Sequence, residues 1–76
     1  MNWEDRITAD PNILLGKAII RGTRIAVEFL LELLAQGWSH DEILRNYPQL
    51  KSDDIQAALH YAVDAVRQER VFPLAS

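Results

Sequence analysis

Cysteine is absent from this chain. That removes a disulfide-stapled scaffold, a thiolate nucleophile and a cysteine-ligated zinc site together. Histidine is scarce. His40 and His60 are the only two, and they fall on different expected helices with no carboxylate set around them that would specify a metal. Long apolar runs are missing as well. The longest, Ile25–Ala35, is interrupted by Glu28 and Glu32 and falls short of the roughly 20 residues that span a bilayer. No membrane role is expected, and the opening M-N-W-E-D-R lacks the apolar stretch of a signal peptide. A phosphate loop is not expected either, because Gly16-Lys17 has no glycine-rich cradle and no following Ser or Thr. Asp41-Glu42 and Asp53-Asp54 are explained by helix N-termini rather than by acid/base work, Thr23 has no evident general base, and Trp3 and Trp38 read as packing residues. The expectation is a cytoplasmic protein that is not an enzyme and carries no cofactor or metal.

What is present fits one small domain. A chain of 76 residues buries only about 60–65% of its unfolded surface, which places it near the margin of stability. Small chains without disulfides or metals often add stability by oligomerising. The net charge is −3, and its distribution says more than its sum. Residues 1–25 carry Arg6, Lys17, Arg21 and Arg24 against Glu4, Asp5 and Asp10, whereas residues 26–76 carry four basic side chains against eight acidic ones. Positive surface is therefore expected towards the front of the chain.

Two short β-prone runs, Arg6–Ala9 and Ala18–Arg21, flank an Asp10-Pro11-Asn12 turn signal and predict a small ribbon. Gly22-Thr23 then bends the chain. A first helix is predicted over about Ala26–Gln36, ended by Gly37 at its C′ position. Its apolar residues cover more than one face, so burial on two sides is expected, with a second copy of the chain as the second cover. Ser39 and Glu42 form a capping-box pattern, with Trp38 and Ile43 as a hydrophobic staple, for a second helix that Pro48 stops. Leu50 and Ile55 have staple spacing for a third helix that runs to about Glu69, with Lys51 or Ser52 at its N-cap. Its inward stripe is Ile55, Ala58, Leu59, Ala62 and Val66. The organisation expected is a β-ribbon arm over residues 1–25, a three-helix unit over 26–70 and a tail over 71–76 that includes Val71-Phe72-Pro73-Leu74. The fold class is mainly α: a homeodomain-like three-helix helix-turn-helix with a short N-terminal β-ribbon.

In that geometry the third helix is placed to enter a major groove. The expected DNA-binding residues are Lys17, Arg21 and Arg24 on the ribbon, with Ser52, Gln56 and His60 on the third helix. Gln can read adenine and Ser can contact phosphate, while Asp53 and Asp54 repel the DNA backbone and shift the electrostatic attraction towards the ribbon. Phe29 and Leu33 are the expected homodimer interface. The alternatives are that Lys17, Arg21 and Arg24 form a solvated edge paired with carboxylates such as Glu28 and Glu32, and that the domain is a protein–protein interaction module without DNA binding.

The chain also resembles a known family. Asp10-Pro11, then G-K-x-x-I-R-G-T-R-I-x-V over Gly16–Val27, L-L-A-x-G over Leu33–Gly37, S-x-x-E-I-L-x-x-Y-P-x-L over Ser39–Leu50 and D-I-x-A-A-L-x-Y-A over Asp54–Ala62 are similar to the prokaryotic domain of unknown function number four hundred and thirty-three. That family usually has Gly where Leu15 stands, Pro at Ala18 and at Ala26, and a Thr-like cap at Lys51. The resemblance implies a VapB-like antitoxin with a homeodomain-like helix-turn-helix: a homodimer that binds operator DNA, represses its own operon and neutralises a PIN-like ribonuclease toxin.

Overall fold

A computed structural model of the protein describes residues 2–68. The tail over residues 71–76 and the end of the third helix read at Glu69 lie outside the described residues. A 3-10 turn over Trp3–Arg6 leads into strand β1 (Ile7–Ala9), which pairs antiparallel with β2 (Ala18–Ile20) in the register Ile7↔Ile20, Thr8↔Ile19, Ala9↔Ala18. Three helices follow: α1 (Val27–Ala35), α2 (His40–Asn46) and α3 (Ser52–Gln68). The architecture is mainly helical with a two-stranded antiparallel sheet in front, as the sequence predicts.

Local chemistry fixes the boundaries. Between the strands the Asp10 carboxylate accepts from the Asn12 amide at 2.9 Å, closing an Asx turn. After β2 the Thr23 amide donates to the Ile20 carbonyl at 3.0 Å, with Gly22 at φ +81° in the position where that turn needs left-handed backbone. Helix α1 ends in a Schellman motif. The Gly37 amide reaches the Leu34 carbonyl and the Trp38 amide reaches the Leu33 carbonyl, both at 3.0 Å, with Gly37 at φ +95°. Helix α2 opens with the full capping box. The Ser39 hydroxyl accepts from the Glu42 amide at 3.1 Å, and the Ser39 amide donates to the Glu42 carboxylate at 3.0 Å. That backbone hydrogen bond holds the Glu42 carboxyl below the usual carboxylate range, helped by the Ser39 side chain and by Arg45. A lowered folded-state value gives α2 a contribution that is present at neutral pH and is lost as the pH falls through that value.

The core is built from Ile20, Val27, Leu30, Leu33, Ile43, Leu50, Ile55 and Ala58. Leu50 and Ile55 both belong to it, consistent with the staple before α3. The second side of α1 is closed mainly from within the chain: α1 packs on both α3 and β2, and Leu31 and Leu34 lie against the core. Leu33, expected at a homodimer interface, is 6% exposed and sits inside the chain's own core. Val66, expected to face inward, is 63% exposed. The reason is length. Helix α3 has 17 residues against nine in α1 and seven in α2, so its ~26 Å overruns helices of ~13 and ~10 Å.

One connection has no counterpart in the sequence reading. The segment before β2 makes a single left-handed turn, with Leu14 at φ +50°, Leu15 at φ +56° and Gly16 at φ +82°. Left-handed backbone costs an L-residue roughly 1–2 kcal/mol. Leu15 is 97% exposed, so packing does not offset that cost. Leu15→Gly is expected to raise the stability of the single chain by about 0.5–1 kcal/mol, because relief of strain exceeds the extra freedom glycine gives the unfolded chain. Urea unfolding at sub-micromolar concentration, where self-association does not contribute, measures it; a midpoint that falls contradicts the strain assignment.

Candidate nucleic-acid interface

Ser52, Gln56 and His60 are spaced four residues apart on α3 and all three are exposed. A four-residue spacing stacks them along one stripe of the helix, so the structure brings these three candidates together as one solvent-facing polar face. The opposite side carries the buried Asp54, Ile55, Ala57 and Ala58.

The start of α3 is organised by Asp54. Its carboxylate is 9% exposed and is met from two directions. The Lys51 amide donates to Oδ2 at 2.9 Å, and the Arg6 guanidinium donates to Oδ1 at 3.0 Å. The first of these is the return half of a capping box, made by Asp54 at the third helical position towards Lys51 at the N-cap. Arg6 also reaches Asp53 at 3.4 Å. The acidic pair that would repel a phosphate backbone is therefore covered by a guanidinium from the front of the chain. With Lys51 beside it, the formal charge of Arg6, Lys51, Asp53 and Asp54 is zero. Trp3 extends the same contact, its ring edge-on to Tyr61 with centroids 6.2 Å apart.

The three ribbon cations are not brought to one place. Arg21 donates through Nε to the Asp5 carbonyl at 2.8 Å and lines a polar recess of about 400 Å³ with Asn2, Asp5, Arg6 and Asp54, which sets it beside the start of α3. Arg24 lines a separate recess of about 570 Å³ between the Asp10–Ile13 loop and the Gly22-Thr23 bend. Lys17 stands beyond the far end of β2 and pairs with Glu28. Of the carboxylate pairings that the structural alternative expects for Lys17, Arg21 and Arg24, the described contacts contain Lys17 with Glu28 and none for the two arginines. Phe29, the other residue expected at a homodimer interface, is 39% exposed and stands edge-on to Tyr47 at 5.5 Å.

Sequence reasoning missed Arg6 and the bridging role of Asp54. An acidic residue three positions after the N-cap was a signal for the capping half; nothing in the sequence pointed to a partner 48 residues away. Among the described residues no group of three or more His, Asp or Glu is placed to hold a metal ion, and no helix is long and apolar enough to cross a membrane.

Asp54→Ala is expected to cost about 2–3 kcal/mol, combining the lost cap with an unpartnered guanidinium, and Asp54→Asn about half as much. A double-mutant cycle with Arg6→Ala should show coupling of about 1 kcal/mol or more; additive effects would dissolve the link between the first turn and α3.

Comparison with known proteins agrees with this architecture. A family model described as a protein of unknown function (DUF433) matches residues 7–62. The uncharacterized protein y4eO of Sinorhizobium fredii (strain NBRC 101917 / NGR234) is 36% identical over 56 residues, which cover 74% of this chain and 25% of that protein. The crystal structure of a DUF433 member protein from Anabaena variabilis ATCC 29413 is 38% identical and superposes with a TM-score of 0.78 over 86% of this chain and 64% of that one. The chain thus spans a quarter of the first protein and under two thirds of the second.

Proposed function

The chain belongs to the DUF433 family of proteins of unknown function, and from that premise we propose that it is a homodimeric, antitoxin-like DNA-binding module with a homeodomain-like helix-turn-helix. The observation that carries this reading is the free polar face of α3. A short helix, a five-residue connection and a long helix precede and present Ser52, Gln56 and His60 to solvent, the arrangement in which a second helix reads base edges. Gln56 supplies a bidentate donor–acceptor pair suited to adenine, and Ser52 a phosphate contact at the first turn. Arg21 lines the recess beside Asp54, around the helix from that stripe, and adds positive charge at the start of α3, where Arg6 and Lys51 together balance the formal charge of Asp53 and Asp54. Arg24 is exposed at the ribbon bend and Lys17 is exposed in an ion pair at its far end, so these two serve the DNA backbone only if the duplex runs past the ribbon. The antitoxin part rests on the family resemblance: it implies a PIN-like toxin as the second partner and autorepression as the purpose of DNA binding.

A second reading has an observation of its own. Leu14, Leu15 and Phe29 are large apolar side chains held at the surface, which favours a protein-interaction module whose partner covers them without any DNA.

The DNA reading predicts that the chain binds the region upstream of its own gene with an affinity that falls steeply as salt rises. Replacing Arg21 and Arg24 together by Ala should weaken binding to all sequences and lower the salt slope by up to about 2, whereas Gln56→Ala should cost about 1–3 kcal/mol on the preferred sequence and relax preference at one position. Fluorescence anisotropy over a salt series measures both. Binding that ignores all three substitutions would remove those residues from the DNA reading, and no salt-sensitive binding at all would leave the interaction module as the function.

A further inference from the structure

Nothing among the described residues accounts for Leu15. Its side chain is 97% exposed, its backbone sits in the left-handed region at φ +56°, and Leu14 beside it is 45% exposed at φ +50°. A fold that needed only the turn would be served better by glycine. Non-glycine residues held in such backbone conformations cluster at binding sites, where the surroundings make the strain useful.

The ground next to this knob is a recess of about 360 Å³ lined by Ala26, Glu28, Phe29 and Glu32. Ala26 and Glu28 also border the two leucines, so knob and recess share one face of the molecule. Lys17 stands with the leucines and Glu32 with the recess, while Glu28 borders both and pairs with Lys17. The floor of the recess is firm, because the Phe29 ring is set edge-on against Tyr47.

We propose that this face is a two-fold interface between two copies of the chain, in which Leu15 of each copy seats against Phe29 and Ala26 of the other and Lys17 of each faces the other's Glu32. A two-fold contact joins the same patch on both subunits, so the patch must be self-complementary. This one is: an apolar knob beside Lys17 lies next to an apolar recess beside Glu32. The exposed Lys17–Glu28 pair is no obstacle, since exchanging a solvent-exposed ion pair for another changes little. The proposal rests on the homodimeric reading above and replaces Leu33, which the chain's own core occupies, with Leu15 and Lys17 as partners of Phe29.

Sedimentation equilibrium of the full chain across the micromolar range tests it. The wild-type chain is expected to be a dimer, and Leu15→Gly to weaken it at least about tenfold while the isolated chain folds as well or better. Lys17→Glu is expected to weaken it in the same direction, and Lys17→Glu combined with Glu32→Lys in one chain to restore it. A dimer indifferent to Leu15→Gly and Lys17→Glu overturns the interface and leaves the dimeric reading standing. A wild-type monomer throughout that range overturns both. A monomer that binds the product of the adjacent gene and loses it on Leu15→Gly overturns the second-copy occupant and gives the face to that protein.

Discussion

Burying a carboxylate costs several kcal/mol unless its lone pairs are answered, and Asp54 is answered from two parts of the chain at once. The Lys51 amide ties it to the start of α3, and Arg6 ties that start to the residues in front of β1. A two-stranded ribbon is marginal in water by itself. Here it is anchored at its leading end by this ion pair and by Trp3 against Tyr61, and along its length by Ile20, which enters the core. Remove the carboxylate and the ribbon keeps only Trp3 against Tyr61 and Ile20 in the core.

That anchoring changes what the front of the chain can do. A flexible basic arm could wander into a minor groove; a segment pinned to α3 cannot. Asp54 and Gln56 are two residues apart, about 200° around the helix, so the ribbon's leading turn and the exposed polar stripe take opposite sides of α3. The ribbon therefore stiffens the helix without covering Ser52, Gln56 or His60. Preorganisation of this kind favours any ligand of the stripe, because less freedom is lost on binding.

How far the sequence could be read followed the range of each interaction. The capping box at Ser39 and Glu42, the left-handed Gly37 after α1 and the Asp10 turn are set by residues within a few positions of one another, and each is found where the sequence puts it. Arg6 with Asp54 was not legible, since a pairing 48 residues apart leaves no periodic mark. Leu33 departs from expectation for a different reason: the apolar breadth of α1 points to a second chain, whereas β2 and the core supply most of that cover. Val66 shows the same limit, because a helix pattern records a face and not whether the neighbours reach that far. Two consecutive leucines carry no turn signal at all, and their left-handed backbone emerges only in three dimensions.

The basic residues at the front now fall into two kinds, and the division bears on function. Arg6 answers a buried carboxylate, and diverting it to a phosphate would strand Asp54, so it is fixed. Lys17 is held by an exposed glutamate, an association worth little in water, so it can exchange that partner for a phosphate or for a carboxylate on another protein. Among the described residues Arg21 has only its Nε engaged, on a backbone carbonyl, which leaves the rest of the guanidinium fork for a ligand. A single chain thus offers only a few exchangeable cations against a net charge of −3, too few for tight binding of a polyanion by electrostatics alone. The proposed two-fold dimer would double the site. It would present two α3 faces at a fixed separation, so that the second engages at high effective concentration once the first has bound. On that proposal the strained leucine knob and the polar face of α3 belong to one device: the first would set the spacing at which the second reads.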